Sequence, residues 1–342
     1  MKKILNTTAA LLFVASSLSM GSAAQAAVTP GTLATGDTLY TLQCDDNSNP
    51  ILMSVDPTTL VATGIGTGSA SYTCGSQVAY NPVDKKAYYT YWGSSPYSLA
   101  SIDLTTGVST IVGEFVLNTD NTVHPDIYAM AIDSLGHVFG YSGDRKLYSI
   151  DLSTGVCTYI ADVLDSNSNP TAYIYGLAFS PDNVLYAVEY ADNGRLLSIN
   201  TTTGAATTVV DDYNSLVGTN RSESLAFDSN GTLFLEVDGS NNSELWSADV
   251  TNFASTVTQV MGSGTGNYTG NFLYDGTDDA TVNPTSFYNE SIFIVPGATT
   301  PTPTPTLAAT GVDGAVSATT GAIAFAMVAA GSLIVARRKA TK

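Results

Sequence analysis

Ser101-Ile102-Asp103-Leu104-Thr105-Thr106-Gly107 returns as Ser149-Ile150-Asp151-Leu152-Ser153-Thr154-Gly155 and again as Ser198-Ile199-Asn200-Thr201-Thr202-Thr203-Gly204. Shorter versions, Ser54-Val55-Asp56 and Ser247-Ala248-Asp249, lie on either side, so that five copies follow one another at intervals of 47, 48, 49 and 49 residues. So regular a period marks one supersecondary unit copied in tandem, each copy burying its apolar surface against its neighbours.

The copies agree beyond that phrase. About twenty residues before it comes a small apolar run: Val78-Ala79-Tyr80, Met130-Ala131-Ile132, Leu177-Ala178-Phe179 and Leu225-Ala226-Phe227. Turn residues follow, such as Asn81-Pro82, Asp133-Ser134 and Ser180-Pro181-Asp182. Next is a run with an aromatic at a fixed place (Tyr40, Tyr89, Phe139, Tyr186, Phe234), then the Ser-x-Asp phrase, a polar turn, and a β-branched run such as Thr207-Thr208-Val209-Val210. Short β-branched and aromatic runs bounded by Gly, Pro, Asn and Asp are strands joined by hairpins. Four antiparallel strands in about 48 residues make the blade of an all-β propeller. The small alanine suits an innermost strand beside a crowded axis.

The first copy has three strands, at Leu39–Leu42, Ile51–Val55 and Val61–Gly64, and lacks an obvious innermost one. Asn271-Phe272-Leu273-Tyr274-Asp275, one period beyond Ala226, is expected to pair with it and close a ring of five blades. The alternative is a degenerate sixth blade containing Ser291-Ile292-Phe293-Ile294-Val295.

The ends of the chain are read as addresses. Lys2 and Lys3, an apolar stretch from Ala9 to Met20 and Ala24-Gln25-Ala26 make residues 1–26 a cleaved secretory signal, the apolar part being short for a span. A lead-in (27–37) and the propeller (38–297) follow, then a Pro/Thr stalk (298–306) whose alternating composition holds an extended, solvated spacer. Leu307-Ala308-Ala309-Thr310-Gly311 comes next, and residues 312–342 carry an apolar run from Ala322 to Ala336 and the basic end Arg337-Arg338-Lys339. Pentapeptide, apolar span and basic tail in that order resemble the sorting signal of Gram-positive sortase substrates. The familiar motif has Pro where this chain has Ala308, and the Leu-Ala-x-Thr-Gly version resembles the form used by high-GC Gram-positive bacteria. The resemblance implies membrane insertion before sorting, cleavage between Thr310 and Gly311, and transfer of Thr310 by a sortase to a cell-wall peptide amine. It implies an extracellular, wall-anchored protein, with a plain single-span anchor as the alternative.

The chain has 12 basic and 30 acidic residues. Between the two processed ends six basic residues face 29 acidic ones, a net charge of −23. Such a surface repels nucleic acid and anionic envelope polymers and excludes nucleic-acid binding. Of three cysteines, Cys44 and Cys74 lie on connections that emerge on one propeller face and are expected to form a disulfide, which an exported compartment permits. Cys157 is left to pack in an outer strand.

Propellers hold ligands near the axis, at loops entering first strands and leaving second strands. Here those loops carry His124, Asp126, Arg221 and Glu223, flanked by Tyr91, Trp92, Tyr97, Tyr141, Asp144, Arg145, Tyr190 and Arg195. A tyrosine-rich polar rim suits a glycan or protein ligand, while aromatics that merely cap blade ends are the alternative. A metal-dependent hydrolase or lyase would need Glu223, His124 and Asp126 around one ion, yet the equivalent places in other copies hold Gln77, Tyr128 and Tyr175 or Gly176. Neither His124 nor His137 belongs to a recognisable nucleophile triad, so no catalytic residue is assigned. Asp45, Asn47 and Asn49, and Asp165, Asn167 and Asn169, space oxygen side chains as calcium loops do, but Pro50 and Pro170 stand near where such loops want Gly. Asx turns are the alternative, and no cofactor is expected beyond a weak calcium candidate.

The repeats also resemble bacterial propeller repeats of the NHL and quinoprotein-like kind, through phrases such as Gly176-Leu177-Ala178-Phe179-Ser180-Pro181-Asp182. Many activities share that scaffold, so the resemblance implies a fold and no activity. The sequence therefore leads to a wall-anchored, non-catalytic recognition, adhesion or structural module.

Overall fold

The computed structural model describes residues 31–44, 50–55, 62–66, 75–92, 96–191, 194–217, 221–238, 243–261 and 291–297. They form five sheets arranged as a five-bladed β-propeller. Blade 1 begins with β1 (Thr38–Cys44), β2 (Pro50–Val55) and β3 (Ala62–Ile65). Blade 2 contains β4 (Gly75–Asn81), β5 (Lys86–Tyr91), β6 (Ser98–Ile102) and β7 (Ser109–Glu114). A two-residue strand, β8 (Val116–Leu117), then runs parallel to the outer edge of blade 3, which holds β9 (Ile127–Ile132), β10 (Val138–Ser142), β11 (Lys146–Ile150) and β12 (Val156–Asp162). Blade 4 holds β13 (Ile174–Phe179), β14 (Leu185–Glu189), β15 (Leu196–Ile199) and β16 (Ala206–Val210). Blade 5 holds β17 (Arg221–Phe227), β18 (Thr232–Asp238), β19 (Ser243–Asp249) and β20 (Thr258–Met261).

The ring closes through β21 (Ser291–Val295), which pairs antiparallel with β1 and completes blade 1. This corrects the expectation that Asn271–Asp275 would do so and removes the alternative of a sixth blade. β1 is paired on one edge with β2 and on the other with β21, so no edge remains for another strand. Residues 271–275 lie outside the described residues. Asp37, almost fully buried, fastens the closure: its carboxylate accepts from Gly297 N at 2.9 Å and from Ser229 N at 2.6 Å. The lead-in adds Ala34 N to Asp228 Oδ2 at 3.0 Å and Gly31 N to Ser247 Oγ at 2.6 Å.

The repeated phrase has a local purpose. Asp103 accepts at Oδ1 from Thr105 N and Thr106 N, both at 2.9 Å, and Asn200 does the same for Thr202 N and Thr203 N at 2.9 and 3.0 Å. The third strand is thus ended by an Asx turn, the glycine of which (Gly107, Gly155, Gly204) sits at φ near +70 to +81°. A Cβ on Gly107 would lie 2.0 Å from Ile65 O, and one on Gly204 2.3 Å from Asp162 O. Each turn therefore abuts the outer strand of the preceding blade, and a side chain would force the two apart.

Apolar side chains fill the five seams between neighbouring blades, one cluster to each. A blade is consequently buried on both faces, with Tyr89, Tyr141, Phe234 and Leu147 fully enclosed. Each such side chain stabilises the ring by roughly 1.5–3 kcal/mol. Residues 298–342 lie outside the described residues, as do the signal, stalk and sorting motif expected at the two ends. Among the described residues no helix is long and apolar enough to cross a membrane.

Candidate functional site

The innermost strands β4, β9, β13, β17 and β21 stand around the axis, each packed on the next. Their first residues open onto one face of the ring and their last onto the other. At the axis the packing is tight. The Gln77 amide pairs with the backbone of Leu177 two blades away, accepting from its N–H at 2.5 Å and donating to its carbonyl. Ser224 Oγ accepts from Ile292 N at 3.0 Å, and Ser291 Oγ accepts from Val78 N at 2.8 Å. A Cβ on Gly176 would meet Val188 and Leu225 at 2.6–2.7 Å, which explains a glycine in a strand interior. Among the described residues, the axis is therefore sewn together by an amide and hydroxyls.

Where the innermost strands end, a funnel of about 270 Å³ is lined by Tyr80, Ile132, Phe179, Phe227, Ile294 and Pro296. Its rim carboxylates are taken up by backbone N–H groups. Asp133 Oδ1 accepts from Leu135 N and His137 N at 2.9 and 2.8 Å, and Asp228 Oδ1 from Asn230 N and Thr232 N at 3.0 and 2.7 Å. Burial nonetheless raises the Asp228 carboxyl above its usual range.

Where the innermost strands begin, aromatic rings from three blades meet. Trp92, at the end of β5, stacks on Tyr97 with centroids 5.7 Å apart and meets the Tyr128 ring edge-on at 5.9 Å. Tyr128 stacks on Tyr175 at 5.5 Å and meets Tyr173 edge-on at 6.4 Å, while Tyr175 touches Tyr190 at 4.8 Å. The Arg145 guanidinium lies 4.7 Å above the Tyr173 ring, held there by Nε donating to Thr171 O at 2.8 Å. Burial raises the Tyr128 phenol above its ordinary value, with the neighbouring Tyr97 and Asp126 adding to the effect. Asp126 itself is exposed, and its main-chain carbonyl accepts from Gly143 N at 3.0 Å.

Trp92 and Tyr190, two of the residues that the sequence offers for a ligand face, lie in this cluster, with half-buried Tyr91 beside Trp92. Tyr141 is a correction. It is fully buried, its hydroxyl donating to Ala172 O at 2.9 Å, and burial pushes its pKa up to about 12. Its position near the end of β10 reads as rim, but in a blade covered on both sides the strand end still points into a seam. His124 donates from Nδ1 to Phe115 O at 3.0 Å. The side chains of Arg221 and Glu223 lie outside the described residues. Tyr173 is missed by the sequence reading, and Tyr128 and Tyr175 enter it only as the residues that replace Glu223 in other copies. The common place of Tyr128 and Tyr175, second in the innermost strands of successive repeats, is the signal that finds them, and Tyr173 carries no such signal.

Beneath the rings, buried Glu189 accepts from Arg195 Nε at 2.6 Å and Nη2 at 2.7 Å, and from Ala172 N at 2.8 Å. The fork fixes the loop that carries Tyr173. Asp165 accepts from Asn167 N and Asn169 N, both at 2.9 Å, and approaches Arg195 at 3.8 Å, so this calcium candidate is built as an Asx turn. The backbone N–H groups hold the Asp165 carboxyl below the usual range. Asp45, Asn47, Asn49 and Cys74, and the Cys44 side chain, lie outside the described residues. Cys157 is a free, buried thiol, pushed up to about 12 by burial. Among the described residues no three His, Cys, Asp or Glu side chains gather as metal ligands.

No protein family and no curated protein matches the chain. Among solved structures it is similar to a protein of unknown function from Bacteroides thetaiotaomicron, at 15% identity and TM-score 0.46, over 65% of this chain and 55% of that one. It is also similar to TolB from Acinetobacter baumannii, at 12% identity and TM-score 0.44, over 76% of this chain and 67% of that one. A third is the PQQ-bound aldose sugar dehydrogenase from Streptomyces coelicolor, at 14% identity and TM-score 0.40, over 68% of this chain and 81% of that one. The chain thus spans just over half the length of the first of these. Likeness at this level lends no activity to the chain.

Proposed function

We propose that this chain is a cell-wall-anchored surface protein whose propeller is a non-catalytic recognition module acting through the aromatic face. The observation that carries the reading is the run of touching rings from Trp92 to Tyr190, gathered from three blades at the mouth of the axis. Tyrosine and tryptophan offer large contact area with few rotatable bonds and one polar handle each, as recognition surfaces require. Anchoring is supported by the Leu307–Gly311 pentapeptide, the apolar run and the basic tail. The polypeptide leaves the ring at Gly297, on the funnel side, clasped by Asp37.

Anchoring is tested by producing the full chain, with an epitope tag after the signal segment, in a sortase-bearing Gram-positive host. Muramidase digestion of purified walls is expected to release the tagged chain joined to peptidoglycan fragments, and Thr310→Ala to abolish that species. Recovery of the unaltered chain from membranes alone would overturn the anchor. Recognition is tested on glycan and protein arrays, where Tyr128→Ala with Tyr175→Ala is expected to lose whatever the unaltered chain captures. Equal capture by both would remove the aromatic face from function.

A further inference from the structure

We infer that the aromatic face takes a basic segment of a partner protein, its arginine side chains laid on the tyrosine rings; the inference rests on the reading of that face as the recognition surface. The molecule contains one instance of the contact it would make. Arg145 places its guanidinium 4.7 Å over the exposed ring of Tyr173, inside the range where a cation is attracted by an aromatic face. A planar guanidinium stacks on a ring while its N–H groups bond sideways, which a hydrated ammonium does less well.

Charge selects the sign of the ligand. The described cations of this face are already committed: Arg145 to Tyr173, Lys146 to Asp144, and Arg195 to Glu189. Lys146 and Arg195 are thus paired with carboxylates of their own, and Arg145 is laid against a ring. Asp126 stands exposed beside Tyr128, and its carboxylate makes no hydrogen bond or ion pair among the described residues. Around it, the chain between its processed ends carries 29 acidic residues against six basic ones. That field draws a cationic segment toward the rings and repels anionic wall polymers. A neutral sugar would stack on the same rings but would use neither Asp126 nor the field.

The test titrates the full-length chain in mild detergent with labelled hexa-arginine, hexa-lysine and Gly-Ser peptides and a neutral β-glucan hexasaccharide, followed by fluorescence anisotropy. Hexa-arginine is expected to bind most tightly. Asp126→Asn and Tyr173→Ala, both exposed and checked by melting temperature, should each weaken it roughly two- to fivefold. Arg145→Gln should strengthen it, because it vacates the Tyr173 ring and removes a like charge. Asp182→Asn, exposed on a turn of the funnel face, should change nothing. Equal weakening by Asp126→Asn and Asp182→Asn would reduce the effect to diffuse attraction and overturn the inference. Weaker binding by Arg145→Gln, or no binding of hexa-arginine, would overturn it as well. Binding of the hexasaccharide alone, lost in Tyr173→Ala, would sink the basic ligand while leaving the recognition face intact.

Discussion

The two faces of the ring are built from the same repeat, yet one is uniform and the other is not. On the funnel face the innermost strands of blades 2 to 5 each turn back through a short hairpin closed by a residue with a side-chain oxygen. Asn81 accepts from Val83 N at 3.0 Å, and Asp133 and Asp228 do the equivalent in blades 3 and 5. On the aromatic face the connections differ from blade to blade, and the place held by Tyr128 and Tyr175 is Glu223 in blade 5. Residues that recur in every copy hold geometry that every blade needs. Residues that differ between copies are free of that duty, and the ring cluster is found among them.

The largest effect separating the faces should come from the closing strand. Phe293 is buried where the other innermost strands carry alanine, so it fills space that no sibling can. Phe293→Ala should lower stability by about 3–5 kcal/mol in urea titration. A loss below about 1 kcal/mol would show that the closure contributes little and that the blades hold without it.

A middle effect should come from pH and belong to the turns. Hydrogen bonds from turn N–H groups and hydroxyls hold Asp103 and Asp151 below the usual carboxylate range, and at Asp249 burial, which acts upward, is outweighed by the bonds from Thr251 and Asn252. A carboxyl whose folded pKa lies below its unfolded value of about 3.9 adds stability above that pH and loses it as pH falls through the folded value. Asp228, raised by burial, works in the opposite sense and is outnumbered. The melting temperature should therefore fall as pH drops from about 5 to below 4. A flat profile would mean that the Asx turns are formed as readily in the unfolded chain.

The smallest effect on stability is expected at the aromatic face. Tyr173 is 44% exposed, so Tyr173→Ala should shift stability by no more than about 0.5 kcal/mol. A drop several times larger would make the rings caps of the blade ends, the structural role that competes with recognition.

The sequence legible in this way stops at particular residues. The Ser-x-Asp phrase discloses its turn because an Asx cap bonds only two or three residues ahead. Tyr141 was out of reach because strand alternation cannot separate two faces that are both buried. The pairing of Ser291–Val295 was equally hidden, since this strand lacks the alanine and the turn that mark its siblings, and its partner β1 lies at the other end of the chain.

By itself, the order of residues determined the repeat, the strands within it and the turns that end them, all of which depend on contacts a few positions apart. Only the tertiary structure decided which strand closes the ring, that Gln77 and Ser224 tie the strands at its axis, and that Tyr128, Tyr173 and Tyr175 touch. Those outcomes rest on pairings between distant segments. Their free energy depends on how the seams pack, which no local pattern records.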